Sequence, residues 1–340
     1  MRIGPFEIGD GRTFVTAEIG SNHNGSFDTA LALVRAAKEA GADAVKFQTY
    51  RAELLIDPSV PTMAHVRGVH KTQLERFKSL QFTEDQWCTL AQTAEALGLV
   101  FFSTAFDPLS ADFLDSIVPA FKIASGDLTN IPLIRHVARK GKPVVLSTGM
   151  GTVEEIQGAV HEVPRDRLAL LHCVASYPAP LDEANLRAIP YLASEFPGVP
   201  VGYSDHTMGI TACLGAVALG AVMIEKHFTH DKTQPIGDHK LSADHEEFAR
   251  LVREVRALES ALGTLSKGVE VCETRMLTVM RRGLAAACTI PAGTAISGDM
   301  LVALRPLRGV PAYRFDQLVG RRARHDIAPG AFIEYEDVDW

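Results

Sequence analysis

Residues 14–49, FVTAEIGSNHNGSFDTALALVRAAKEAGADAVKFQT, contain the repeating unit of the fold. Phe14–Gly20 is a short apolar run and reads as a strand. Asp28–Ala40 has helically spaced apolar residues, and Gly41 stops it in the manner of a C-terminal cap. Ala44–Thr49 is a second apolar run. Strand, helix, strand in this order is the building block of a parallel sheet.

The same unit recurs outward from this stretch. Thr83–Leu97 reads as a helix, with Thr83 as N-cap and Gly98 as stop. Leu99–Phe106 is the third strand, with a short helix after Pro108. Further strands are expected at Ala120–Ser125, Pro143–Gly149, Leu168–Val174, Val201–Asp205 and Ala221–Phe228. Helices are expected near Ile131–Lys140, Val153–His161, Asp182–Glu195, Met208–Leu219 and Asp244–Leu262. Eight such units predict an α/β chain folded as a (β/α)8 TIM barrel. An open doubly wound sheet is the alternative, but no GxGxxG follows the first strand. Pro58–Leu80 interrupts the pattern as a polar, basic insertion.

After Leu262 the periodicity changes. Residues 263–282 read as a linker. Residues 283–340 hold an internal repeat, in which IPAGTAISGD (290–299) matches IAPGAFIEYE (327–336). Each copy reads as a strand, a glycine turn and a short return strand. The expected organisation is a barrel over 1–262, the linker, and a small β-rich module over 283–340.

A net charge of -7 gives no support to a nucleic-acid partner. No apolar stretch of about 18 residues occurs, so no membrane span is expected. The five cysteines are scattered without a CxxC pair, which argues against a disulfide framework or a thiolate zinc site. The N-terminus carries charges and no long apolar run, unlike a secretory signal. A reducing, cytoplasmic setting is expected.

In a barrel, functional side chains converge at the carboxyl ends of the strands. Those ends offer Glu18; Lys46 and Gln48; Ser103, Thr104 and Asp107; Lys122, Ser125 and Asp127; and Ser147 and Thr148. Later ends offer His172, Ser176 and Tyr177; Ser204, Asp205 and His206; and Glu225, Lys226 and His227. A lone strand-end lysine can simply snorkel to water. Lys46 and Lys122 together, with hydroxyls at neighbouring strand ends, also suit a phosphate and a carboxylate. His206 and His227 close successive strands. They are either two unrelated, hydrogen-bonded imidazoles or a pair of ligands for one divalent ion. Glu225 shares the face of His227, as an outer ligand, an orienting group or an acid/base. Gly237, Asp238, His239 and Lys240 form either a solvated turn or a close approach to a ligand.

In order along the chain, the segments AEIGSNHNG (17–25), VKFQT (45–49), FKIASGD (121–127), LSTGM (146–150), LHC (171–173) with SYP (176–178), GYSDHT (202–207), EKHFT (225–229) and GDHK (237–240) resemble the N-acetylneuraminate synthase family. That family includes sialic, legionaminic and pseudaminic acid synthases and spore-coat polysaccharide enzymes. Residues 283–340, with LRP at 304–306, resemble its antifreeze-like (SAF) domain. The resemblance implies an enzyme that condenses phosphoenolpyruvate with an N-acetylated amino sugar, a transferase forming a C–C bond and releasing phosphate.

The resemblance also implies roles. Lys46, Thr104, Lys122, Ser125 and Ser147 become phosphoenolpyruvate ligands, and His206 and His227 ligands of a divalent metal ion, manganese before magnesium or cobalt. Glu18, Gln48, Tyr177 and Asp238 become sugar contacts. Glu18, Asp127 and Glu225 are the acid/base candidates. A domain-swapped homodimer is implied, with Arg305 reaching the N-acyl group of the partner's sugar. Two positions depart from the family pattern: Asp127 stands where many bacterial members have Glu, and Ala175 where Asn is common. His65, Arg67, His70 and Lys71 in the insertion either contact a phosphate on the sugar or form a solvated charged loop. The alternatives to the whole reading are another phosphoenolpyruvate-condensing sugar-acid synthase, which would lack the SAF-like tail, or a non-catalytic sugar-binding barrel.

Overall fold

A computed structural model describes residues 1–61, 72–235 and 237–340. The chain divides into two units, Met1–Gly263 and Thr264–Trp340.

The first unit begins with an antiparallel hairpin, β1 (Arg2–Ile3) and β2 (Phe6–Glu7). Its Gly4 lies against the Val100 side chain at the start of a barrel strand. Eight parallel strands follow: β3 (Phe14–Gly20), β4 (Ala44–Thr49), β5 (Val100–Ala105), β6 (Phe121–Ile123), β7 (Val144–Ser147), β8 (Leu168–Cys173), β9 (Val201–Asp205) and β10 (Met223–His227). Each pairs with its sequence neighbour, and β10 pairs back to β3, so the sheet closes as a barrel. The open-sheet alternative is therefore excluded. The outer face of the barrel packs under helices and its inner face is filled with side chains, which is why the strands read as near-continuous apolar runs.

The helices follow from spacing and caps. Phe27–Glu39 buries Ala30, Leu33, Val34 and Ala37, at positions i, i+3, i+4 and i+7. Its N-cap Ser26 accepts from Thr29 N. Thr83 and Thr152 both build full capping boxes. Two expected helices are shorter than their apolar pattern: the one near Met208–Leu219 spans only Thr211–Ala218, and the other breaks internally. The region 182–195 holds only Ala188–Glu195, because Asn185 takes a left-handed backbone at φ 42 and breaks the run. The polar insertion contains an unexpected helix, Gln73–Leu80, started by Thr72 accepting from Glu75 N. Its part 62–71, with His65, Arg67, His70 and Lys71, lies outside the described residues.

That helix comes against the loop after β3. Gly25 has φ 77, and a Cβ there would stand 2.2 Å from the Ser79 carbonyl oxygen. Gly25→Ala would thus suffer both backbone strain and a clash with main chain that cannot rotate away. We expect a loss of about 3 kcal/mol in denaturant unfolding; an unchanged midpoint would show that the helix yields freely.

His23, in the same loop, stacks with Phe82 at 4.5 Å between ring centroids, and Nδ1 accepts from Gly25 N at 3.1 Å. Burial lowers its pKa from 6.5 to about 4. As pH falls the unfolded chain takes up this proton before the folded one. The residue's contribution is therefore full above pH 6.5 and is lost as pH falls through 4. About 3 kcal/mol should disappear over that window. His23→Gln is expected to flatten this part of the acid-unfolding curve; an unchanged slope would contradict the assignment.

In the second unit, β11 (Gly283–Ala286) pairs antiparallel with β12 (Leu301–Leu304). Residues 264–282 group with this unit and include the helix Thr274–Met280. The two repeat copies differ from the expected strand–turn–strand form because each finds its partner in the other. Ile290 N donates to Ile327 O at 2.9 Å, and Ile327 N to Ile290 O at 2.8 Å. Gly293 and Gly330 then turn the chain at φ 80 and 79. Each copy ends in a 3-10 turn, Gly298–Met300 and Tyr335–Asp337, rather than a return strand. Ile290, Ile296, Ile327 and Ile333 fill the centre of this small core.

Among the described residues, no helix is long and apolar enough to cross a membrane.

Candidate active site

The inward positions at the carboxyl ends of the barrel strands are charged, although the surrounding core is apolar. Alternation along each strand places Lys46 and Gln48 together on β4, and Glu225 and His227 together on β10. Lys46, 3% exposed, sits between two carboxylates. Its Nζ lies 2.8 Å from Glu18 Oε2 and 3.7 Å from Glu225 Oε1, and it donates to Thr104 Oγ1 at 3.1 Å. Gln48 Nε2 donates to the other Glu18 oxygen at 3.2 Å. Lys122 Nζ donates to Ser147 Oγ at 2.6 Å and to the Ile123 carbonyl at 2.8 Å.

The two carboxyls are pushed in opposite directions. Burial raises Glu18 to about 7, against the pull of the Lys46 ammonium. Burial also raises Glu225, but Lys46 and Lys122 together outweigh it and hold this carboxyl below its ordinary value. Burial lowers Lys122, and the Lys46 charge adds to this against the pull of Glu225. Lys46 moves the other way, because Glu18 and Glu225 more than offset its desolvation. Two carboxyls with separated tendencies suit one proton donor and one acceptor.

The histidines stand across the gap between β9 and β10, with ring centroids 5.3 Å apart. His206 Nδ1 lies 2.8 Å from the Val174 carbonyl oxygen. A carbonyl can only accept, so Nδ1 carries a proton, and Nε2 is the nitrogen open to a ligand when the ring is neutral. His227 is deeply buried, which drives its pKa well down and leaves the ring neutral. Its Nδ1 has no hydrogen-bond partner among the described residues, and Asp238 Oδ2 is 3.8 Å away. Tyr177 packs over His206 at 4.1 Å between centroids. No group of three or more His, Cys, Asp or Glu able to hold a metal occurs among the described residues.

Thus Glu18, Lys46, Gln48, Thr104, Glu225, Lys122 and Ser147 form one linked set, and His206, His227, Tyr177 and Asp238 a second. Ser125 begins the 3-10 turn Ser125–Asp127 after β6, and its Oγ accepts from Gly149 N at 3.0 Å. Asp127, in the same turn, accepts from Asn130 Nδ2 at 3.0 Å, and burial raises its carboxyl. Arg305 follows β12 in the second unit and is exposed there. Two residues that the sequence offered without a role also take part. Ser204 donates to Glu225 Oε1 at 3.1 Å, and Cys173 Sγ lies 3.6 Å from His206 Nδ1. Period-2 alternation places Ser204 two residues before His206, level with Glu225, and was the available signal.

The chain matches the NeuB family model over residues 33–267 and the SAF domain model over 281–339. It belongs to the NeuB family.

Among its NeuB relatives is the N,N'-diacetyllegionaminic acid synthase of Legionella pneumophila, 40% identical over 96% of this chain and 94% of that protein. The human N-acetylneuraminate-9-phosphate synthase is 36% identical over 96% and 92%. The crystal structure of the N-acetylneuraminic acid synthetase of Leptospira borgpetersenii aligns with TM-score 0.73 at 35% identity, covering 82% of this chain and 94% of that one. The NeuB chain described here is thus a member of a family of sialic-type sugar-acid synthases, built as a TIM barrel with a C-terminal SAF domain.

Proposed function

We propose that the chain condenses phosphoenolpyruvate with the open-chain form of an N-acetylated amino sugar, making a nonulosonic acid and releasing phosphate by C–O cleavage. This makes it a transferase of the N-acetylneuraminate synthase type, and a cytoplasmic setting is part of the reading. The observation that carries it is the pair of buried ammonium groups, Lys46 and Lys122, each bonded to a strand-end hydroxyl.

Phosphoenolpyruvate brings a carboxylate and a phosphate. Lys46 with Thr104, and Lys122 with Ser147 and Ser125, offer cationic and hydroxyl donors for both. In a site shielded from water these contacts are stronger than in bulk solvent. Glu18 and Gln48 already share a hydrogen bond and face the same space, suited to sugar hydroxyls. Tyr177 and Asp238 complete the sugar side. Arg305 of the partner subunit, in a domain-swapped homodimer, is assigned to the N-acyl group.

His206 and His227 fit a divalent ion by the chemistry of their donors. One ring has its proton fixed on the far nitrogen, and the other has a buried nitrogen with no hydrogen-bond partner among the described residues. Two imidazoles leave positions for oxygen ligands from substrate or water, which suits manganese, with magnesium or cobalt as alternatives. When bound, such an ion supplies Lewis acidity to the sugar carbonyl.

In the reaction, carbon 3 of phosphoenolpyruvate bonds to the aldehyde carbon, whose oxygen takes up a proton. Water adds at carbon 2 and loses a proton, and the tetrahedral centre then expels phosphate with its bridging oxygen. Glu18, balanced near neutral pH, can deliver the proton to the nascent alkoxide. Glu225 Oε2 is buried without a hydrogen-bond partner among the described residues and is suited to accept from the water. Asp127, beyond Lys122 at the end of β6, is the second candidate for that proton.

The test is phosphate release from phosphoenolpyruvate with manganese, offering N-acetylmannosamine, its 6-phosphate and diacetamido sugars in parallel. Release with one of them, lost on chelation, is expected. Release with none, from folded and metal-loaded protein, would sink the proposal.

A further inference from the structure

One charged pair at these strand ends faces away from the site. Lys226 lies between the inward-facing Glu225 and His227, so alternation turns it outward. There it meets Asp205, the residue before His206. Lys226 Nζ and Asp205 Oδ2 are 2.7 Å apart, and both side chains are fully buried. Lys226 also donates to the Thr207 carbonyl at 2.5 Å. Asp205 accepts from Thr207 N at 2.8 Å, from the Tyr203 hydroxyl at 3.1 Å and from Cys213 Sγ at 3.2 Å.

Stability alone is a weak reason for such a pair. Well-packed apolar residues of similar volume usually serve as well or better. What the pair supplies is direction. The β9–β10 ladder ends at Asp205 opposite Lys226, so both histidines lie one step beyond the last paired residues of these two strands. His227 is still held on its other side by pairing with Glu18, and the His206 carbonyl accepts from Ala179 N at 2.9 Å. Between the two histidines themselves, the backbone ladder supplies nothing. Lys226 spans that gap, tying the residues on both sides of His206 to the residue before His227.

We infer that Asp205 and Lys226 are positioning residues that set the separation of His206 and His227 and thereby the affinity of the site for a divalent ion. The inference rests on the reading of the two histidines as ion ligands. It concerns residues that touch neither substrate nor ion.

The experiment titrates Mn2+ into substrate-free protein, following free Mn2+ by electron paramagnetic resonance. Phosphoenolpyruvate affinity without metal is measured alongside by calorimetry. The main variant is Asp205→Asn with Lys226→Met, which removes both charges and leaves no buried charge uncompensated. Asp205→Asn alone is the second variant, since its amide oxygen can still accept from Thr207 N.

We expect the double variant to lose on the order of tenfold or more in Mn2+ affinity, and the single variant to lose less. Phosphoenolpyruvate affinity should be unchanged, because Lys46 and Lys122 stand on other strands. Wild-type Mn2+ affinity in both folded variants would overturn the inference while leaving the ligand assignment intact. A parallel fall in phosphoenolpyruvate affinity would also overturn it, since that marks a general structural role. A wild-type protein that binds no Mn2+ would remove the ligand assignment and the inference with it.

Discussion

Lys46→Met is expected to lose about 3–5 kcal/mol of stability together with essentially all condensing activity. Lys46 is the only cation within 4 Å of Glu18 among the described residues, at 2.8 Å, and it also approaches Glu225 at 3.7 Å. All three groups are buried. Without the ammonium, two carboxyls would share a desolvated site, and Glu18 would rise further above its already elevated value of about 7. The stability loss and the activity loss have different origins and can be separated. Adding Glu18→Gln to Lys46→Met removes one of the two stranded carboxyls, so the midpoint of denaturant unfolding should largely recover. Activity should not, because the phosphoenolpyruvate anion still lacks its cation. A Lys46→Met chain as stable as wild type would contradict the electrostatic account of these strand ends, and one that still turned over normally would remove Lys46 from the substrate site.

His227→Ala has the second large effect. We expect metal-dependent turnover to fall by about a thousandfold or more, with Mn2+ affinity lowered in step. Phosphoenolpyruvate binding without metal should survive, because Lys122 and Ser147 do not contact this ring. By the linkage argued for His23, the buried neutral ring loses its contribution to stability as pH falls below its ordinary 6.5, so the variant should lose less stability than wild type on acidification. At neutral pH the effect should be small, because the ring is neutral in the fold and its Nδ1 has no hydrogen-bond partner among the described residues. Full activity in this variant, at any metal concentration, would refute the ligand assignment.

Much of the barrel was legible because each strand is buried on both faces and so reads as a continuous apolar run. Polar residues within such runs stand out, and Glu18, Lys46, Lys122 and Glu225 were visible for that reason. Their partners were harder to see. Ser204 looks like any strand serine until β9 and β10 are set side by side in register. Lys226 looks as functional as Lys46 in the sequence, yet one residue of alternation sends it to the opposite face, where it meets Asp205. The helix Gln73–Leu80 was hidden by its polar composition, since it buries only Gln73 and Leu80. The C-terminal repeat was recognisable from its Ile and Gly positions, but its pairing was not. Two copies that bond to each other at Ile290 and Ile327 leave no local sign of a long-range partner. Arg305 was singled out only through family resemblance, as its exposed place after β12 gives no chemical cue.

The most direct measurement follows the bridging oxygen of phosphoenolpyruvate. The substrate is labelled with oxygen-18 between carbon 2 and phosphorus and incubated with Mn2+ and whichever amino sugar supports turnover, and both products are analysed by mass spectrometry. The account predicts that the label leaves entirely in the phosphate, that the acid carries one oxygen from solvent water, and that neither product forms without the sugar. Label retained in the acid, or phosphate released without sugar, would contradict condensation with C–O cleavage at this site.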